Sequence, residues 1–131
     1  MKNLKVLIVD DEEMSLFLLE MILMDKGISH LDKAQNGREA LEMYEDSLCE
    51  TPYDAVFLDI QLPDINGLEV LKRIRQVEDG ADYRATIIMA TGDSSLETIQ
   101  KSLIDFDADD HVSKPYCRDE IHEALVKNAV L

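Results

Sequence analysis

Four short apolar runs along the chain each end in a polar residue. Val6-Leu7-Ile8-Val9 leads into Asp10-Asp11, Ala55-Val56-Phe57-Leu58 into Asp59, Thr86-Ile87-Ile88-Met89-Ala90 into Thr91, and His111-Val112-Ser113 into Lys114-Pro115. Runs of this length, β-branched and separated by helical stretches, predict parallel strands joined by crossover helices. The first strand is expected over about Leu4 to Asp10, a second over Ser29 to Ala34, a third from Ala55, a fourth over Thr86 to Ala90 and a short fifth over Asp110 to Ser113. Ala55 to Leu58 lacks polar alternation, as expected of a strand covered on both faces. Such sheets bind ligands at the rim formed by the strand carboxyl ends, so the polar residues that close the runs should converge there.

Between the strands the apolar spacing turns helical. A first helix is expected from Glu13 to Lys26, with Gly27 as its stop. Asn36, supported by Glu39, caps a second helix that carries Ala40, Leu41 and Tyr44 inward and ends near Cys49. Asn66-Gly67 opens a third, with Leu68, Leu71, Ile74 and Val70 on its inner face, before a turn at Glu78-Asp79-Gly80. Ser94 and Glu97 form a capping box for a fourth that carries Ile99 and Leu103, and Asp107 follows it in the left-handed conformation that Asp tolerates. A last helix places Ile121 and Leu125 four residues apart.

Composition narrows the function. The 131 residues fit one domain, 1–131, with an adequate core. Thirteen Lys and Arg against 28 Asp and Glu give a formal charge of −15, which repels phosphate backbones and argues against direct nucleic-acid binding. Cys49 and Cys117 form no metal-ligand pattern and read as free thiols of a reducing cytoplasm. No run is long enough for a membrane span. The first helix is unusually apolar: Met14, Leu16, Phe17, Leu18, Leu19, Met21, Ile22, Leu23 and Met24 leave almost no polar face. Part of it must be core; the rest either packs under neighbouring elements or is exposed, and exposed apolar surface with methionines suggests a docking site.

Asp10, Asp11 and Asp59 crowd like charges at one rim, which is unfavourable unless something cancels them. A hard divalent cation such as Mg²⁺ is one answer, because it takes a few carboxylates and shares phosphate oxygens. Capping of the first helix by Asp10-Asp11 would serve equally for those two residues alone. Lys114 tilts the balance: held by Pro115, it can pair with Asp59 at rest and with a phosphoryl oxygen when one arrives. Thr91 adds a hydroxyl, and Gly92 lets backbone approach a ligand. Asp59 is then a nucleophile that forms an acyl phosphate.

With these residues in place, the chain resembles the receiver domain of two-component response regulators over essentially its whole length. The motifs are Val9-Asp10-Asp11-Glu12, Leu58 through Gly67, Ala90-Thr91-Gly92 and Ser113-Lys114-Pro115. The resemblance implies a flavodoxin-like α/β fold, a doubly wound five-stranded parallel sheet of order 2-1-3-4-5 with five helices. It implies that Asp59 is the phosphoacceptor and that Mg²⁺ is held by Asp10, Asp11, Asp59 and the backbone carbonyl of Gln61. Thr91 and Lys114 would grip the phosphoryl group, and Lys114–Pro115 would be a cis peptide. Gln61 and Asp93 would tune the phosphoryl lifetime.

The chain departs from the family pattern at His111, which takes a switch position usually held by Tyr or Phe and would link the Thr91 switch to pH. Asp107 replaces a usual glycine, and Ala124 stands where dimerising members carry arginine, so a monomer is expected. The donor would be a histidine kinase or histidine phosphotransfer protein, docking on Met14, Leu18 and Ile22, and the output an unidentified downstream protein. The resemblance implies no turnover of an external substrate, and it fits a stand-alone receiver or one excised from a longer regulator. A receiver-like adaptor acting without phosphorylation should have lost an acidic, Thr or Lys site residue, and none is lost. An aspartyl-phosphate phosphatase lacks its D-x-D-x-T pattern at Asp10 to Met14, and a flavodoxin would need a hydroxyl-rich turn there.

Overall fold

A computed structural model describes residues 3–92 and 106–131. In chain order these form β1 (Lys5–Val9), α1 (Glu13–Asp25), β2 (His30–Ala34), α2 (Gly37–Leu48), β3 (Ala55–Asp59), α3 (Gly67–Asp79), β4 (Thr86–Thr91), β5 (Asp110–Ser113) and α4 (Arg118–Lys127). The five strands are parallel and ordered β2-β1-β3-β4-β5. The chain winds outward from β1 to β2, then crosses back to β3, so the strand order reverses between β1 and β3. A ligand crevice is expected at that reversal.

Alternation along the strands divides the core into two layers. Val6, Ile8, Phe57, Ile88 and Val112 pack against Leu19, Ile22 and Leu23 of α1 and Ile121 and Leu125 of α4. Leu7, Val9, Val56, Leu58 and Met89 face Ala40, Leu41 and Tyr44 of α2 and Val70, Leu71 and Ile74 of α3. Both faces of the sheet are therefore covered, which is why β1 and β3 are apolar without alternation.

Four helices lie among the described residues, against five expected. The expected helix with Ser94, Glu97, Ile99 and Leu103 lies outside the described residues, as does Asp93. Strand and helix ends otherwise agree to within a residue or two, and Gly27 and Asp107 both adopt positive φ, 87° and 63°. Two expectations need correction. Leu68 packs against the core but is only half-buried, at the edge of an inner face whose fully buried residues are Val70, Leu71 and Ile74. The helix start set by Asn66 rotates the apolar stripe onto residues 70, 71 and 74. Glu78 belongs to α3 rather than to a surface turn. It is buried because its carboxylate accepts from Tyr44 Oη, from the Ala85 amide at 2.8 Å and from Arg75 at 2.6 Å.

Candidate phosphoryl-acceptor site

Strand register brings the predicted residues together. Val9 is opposite Leu58, so Asp10 and Asp59 leave neighbouring strands at the same level. Asp59 is in turn opposite Ala90, and Thr91 opposite Ser113, which sets Thr91 and Lys114 on the same rim. The Lys114 amide bonds the Thr91 carbonyl at 3.0 Å, and Lys114–Pro115 is cis. Thr91 is buried at the end of β4.

Lys114 organises the rim. Its Nζ lies 3.0 Å from Asp59 Oδ2, 3.0 Å from Asp10 Oδ2 and 3.1 Å from Glu12 Oε1. Asp10 is fully buried and Asp59 is 3% exposed, so their charges meet little solvent. Burial pushes the Asp59 carboxyl up to about 6; the Asp10 charge adds to this, while hydrogen bonds from Lys114 and the Gln61 amide oppose it. Burial also works against the Lys114 ammonium, but hydrogen bonds to Asp10, Asp59 and Glu12 outweigh it and hold the group above its ordinary range.

Two partners were not foreseen in the sequence. Glu12 contributes the third carboxylate to Lys114, and Tyr116 Oη donates to Asp10 Oδ2 at 3.2 Å. Burial and the charges of Asp10 and Asp59 raise the Tyr116 phenol, so it stays a donor. Asp10 Oδ1 also accepts from the Glu12 amide at 3.0 Å, one residue before α1 begins; no side chain caps α1 itself, so the alternative role of Asp10-Asp11 as its cap is not realised.

The oxygen donors suit a hard cation. One carboxylate oxygen each from Asp10, Asp11 and Glu12 lies within 4.8 Å of the others. Asp59, expected as a ligand, is not one of these three and is tied to Asp10 and Glu12 through their shared contact with Lys114. A cavity of about 460 Å³ opens beside them, lined by Asp11, Glu12, Ser15, Asp59, Gln61 and Lys114 among others. A second, of about 550 Å³, lies below the opposite rim beside Arg75 and Arg84. Those cations are already paired with Glu78, Asp107 and Asp109.

The remaining predicted residues divide. Gln61 is exposed, with its amide 3.1 Å from Asp59 Oδ1. Met14 is 79% and Leu18 39% exposed, and Phe17 joins them on the outer face of α1. Ile22, expected on that docking face, is 1% exposed and packs in the core. It lies on the buried stripe of α1 with Leu19 and Leu23, rotated about the helix axis away from the exposed line of Met14 and Leu18. His111 is in register with Met89 rather than Thr91, its Nδ1 3.9 Å from Asp110 Oδ1.

Known proteins are similar to this chain in sequence and in fold. Residues 6–126 match the family model described as the response regulator receiver domain. The chain is 34% identical over 127 residues to the chemotaxis protein CheY of Bacillus subtilis, covering 94% of this chain and 95% of that protein. Its fold superposes on a CheX–CheY–BeF3–Mg complex from Borrelia burgdorferi with a TM-score of 0.86 at 26% identity, covering 98% of this chain and 90% of that one. It also superposes on a co-crystal structure of the Saccharomyces cerevisiae histidine phosphotransfer protein Ypd1 with the receiver domain of the response regulator Ssk1, at a TM-score of 0.81, 26% identity and 95% and 88% coverage. Several other curated relatives are much longer, and the chain spans from 7% to 48% of their length. On sequence, fold and rim geometry together, the chain belongs to the response regulator receiver domain family.

Proposed function

We propose that Asp59 accepts a phosphoryl group from a phosphohistidine donor or a small acyl phosphate, in a reaction that needs Mg²⁺. The observation that carries this is the single ammonium of Lys114 shared by Asp59, Asp10 and Glu12. A carboxylate kept that close to an ammonium is neutralised at rest and can be released as nucleophile when a phosphoryl oxygen takes the amine. An Asp59 Oδ lone pair forms the new O–P bond while the bond from phosphorus to the donor nitrogen or oxygen breaks, and the leaving group keeps that electron pair. Lys114 and the Thr91 hydroxyl then bind two phosphoryl oxygens. Asp10, Asp11, Asp59 and the Gln61 carbonyl would hold the cation, with Glu12 in reach, and bound Mg²⁺ supplies charge neutralisation for the phosphoryl oxygens. The Borrelia complex with BeF3 and Mg supports this use of the shared fold.

The donor is a histidine kinase or histidine phosphotransfer protein, as the Ypd1–Ssk1 pairing supports. Met14, Phe17 and Leu18 lie within two turns of Glu12 and offer the apolar contact for its helices. Gln61, on the cavity wall, orients hydrolytic water and sets the lifetime together with Asp93. The protein turns over no substrate beyond its own phosphoryl group, and phosphorylation alters partner binding. Kinetics of acetyl phosphate labelling with and without EDTA test this reading: Mg²⁺-dependent modification supports it, and equal modification in EDTA refutes it.

A further inference from the structure

The loop between β3 and α3 carries Gln61, and its shape is held from outside the site. Asp64, three residues further on, is exposed, yet its carboxylate spans two amides at the start of α2. Oδ1 accepts from Gly37 at 2.7 Å and Oδ2 from Arg38 at 2.9 Å. The helix's own cap, Asn36, accepts only from Glu39, at 2.8 Å. The first two amides of α2 are thus capped by another element. Packing brings the two together: a Cβ on Gly37 would lie 2.9 Å from Val70 Cγ2 and 3.0 Å from Ile65 Cβ. At the far end of the loop, the Gly67 amide bonds the Ile60 carbonyl at 2.7 Å, and a Cβ on Gly67 would fall 2.0 Å from the Asp59 carbonyl oxygen. The loop is therefore clamped twice, to the end of β3 through Gly67 and to α2 through Asp64.

We propose that Asp64 is a positioning residue for the acceptor site, tying the β3–α3 loop to α2 so that the Gln61 backbone stays in place for the cation. This rests on the reading of the site as a Mg²⁺-dependent phosphoryl acceptor. A carbonyl ligand has no net charge, so its value depends on orientation. Mg²⁺ demands near-octahedral geometry and penalises a displaced ligand. Release of the loop crest therefore costs cation affinity out of proportion to stability. The two amides also hold the Asp64 carboxyl below the usual carboxylate range, so the tie survives mild acid.

Titration calorimetry with Mg²⁺, paired with thermal unfolding in EDTA, separates positioning from simple capping. Asp64→Ala is expected to bind Mg²⁺ about tenfold more weakly than wild type, the lower end of what outer-shell substitutions cost. Asp64→Asn, which keeps one acceptor oxygen, should fall between them. Asn36→Ala weakens the start of the same helix without touching the loop, and should lower stability while leaving Mg²⁺ affinity as in wild type. Wild-type affinity in Asp64→Ala, or an equal loss in Asn36→Ala, would overturn the inference while leaving the site reading intact. If wild type itself binds no Mg²⁺, the site reading and the inference fall together.

Discussion

Tyr116 Oη donates a hydrogen bond of 3.2 Å to Asp10 Oδ2, joining a buried phenol to the most deeply buried carboxylate of the rim. The same oxygen lies 3.0 Å from Lys114 Nζ, so the phenol and the ammonium converge on one atom. A cation that displaces the ammonium leaves the phenol in place to hold the carboxylate. Tyr116→Phe should therefore weaken Mg²⁺ binding by about tenfold, as loss of an outer-shell donor does. Its stability in EDTA should fall by only about 1 kcal/mol. Calorimetric titration and chemical denaturation read the two separately; unaltered Mg²⁺ affinity would show that the hydroxyl is structural only.

Asp59 gives the metal-free protein a pH signature. Its carboxyl is raised to about 6 from 3.8, so between these values the folded state binds more protons than the unfolded state. Stability must then fall as pH rises through that window. Asp59→Asn removes the titration, and in EDTA at pH 7 it should be more stable than wild type by on the order of 1 kcal/mol. Denaturant melts at pH 4, 5, 6 and 7 check this. A wild type that gains stability over the window relative to Asp59→Asn would reverse the sign and refute it.

Lys114→Met leaves Asp10, Asp59 and Glu12 without their shared cation. Removing one member of a buried charge cluster should cost about 3 kcal/mol in EDTA. Mg²⁺ should return most of that loss, since a ligand at a hundredfold excess over its Kd contributes about 2.7 kcal/mol. Phosphorylation should remain impaired, because the cation does not replace the amine on the phosphoryl oxygen proposed for Lys114. A melting temperature indifferent to Mg²⁺ would contradict this reading of the cluster.

Gly67→Ala places a methyl 2.0 Å from the Asp59 carbonyl oxygen and 2.7 Å from Ile60 Cα, both backbone atoms that cannot move aside alone. A destabilisation of about 3 kcal/mol is expected, with weaker phosphorylation because the displaced strand end carries the nucleophile. Urea denaturation measures the first effect, and a loss under about 1 kcal/mol would mean the loop yields more easily than its contacts indicate.

The rim residues were legible because each closes a short β-branched run, and parallel register carries strand ends to a common level. Lys114 and Asp59, 55 positions apart, meet for that reason. Partners that arrive from the side were not legible. Glu12 closes the first motif and Tyr116 follows the last, and nothing in their spacing marks an inward-pointing hydroxyl or a third carboxylate. Glu78 looked like part of an acidic surface turn, because the Tyr44 hydroxyl and Ala85 amide that hold it come from other elements. Asp64 had no role in the sequence for the same reason. In α1, apolar residues on every side removed the periodicity that separates Ile22 in the core from Met14 and Leu18 outside.

The most direct measurement is intact-mass analysis after incubation with acetyl phosphate, for wild type and Asp59→Ala, each with Mg²⁺ and with EDTA. One phosphoryl group should appear on the wild type with Mg²⁺ and none in the other three samples. Modification of Asp59→Ala, or equal modification of wild type in EDTA, would contradict the assignment of Asp59 as the Mg²⁺-dependent acceptor.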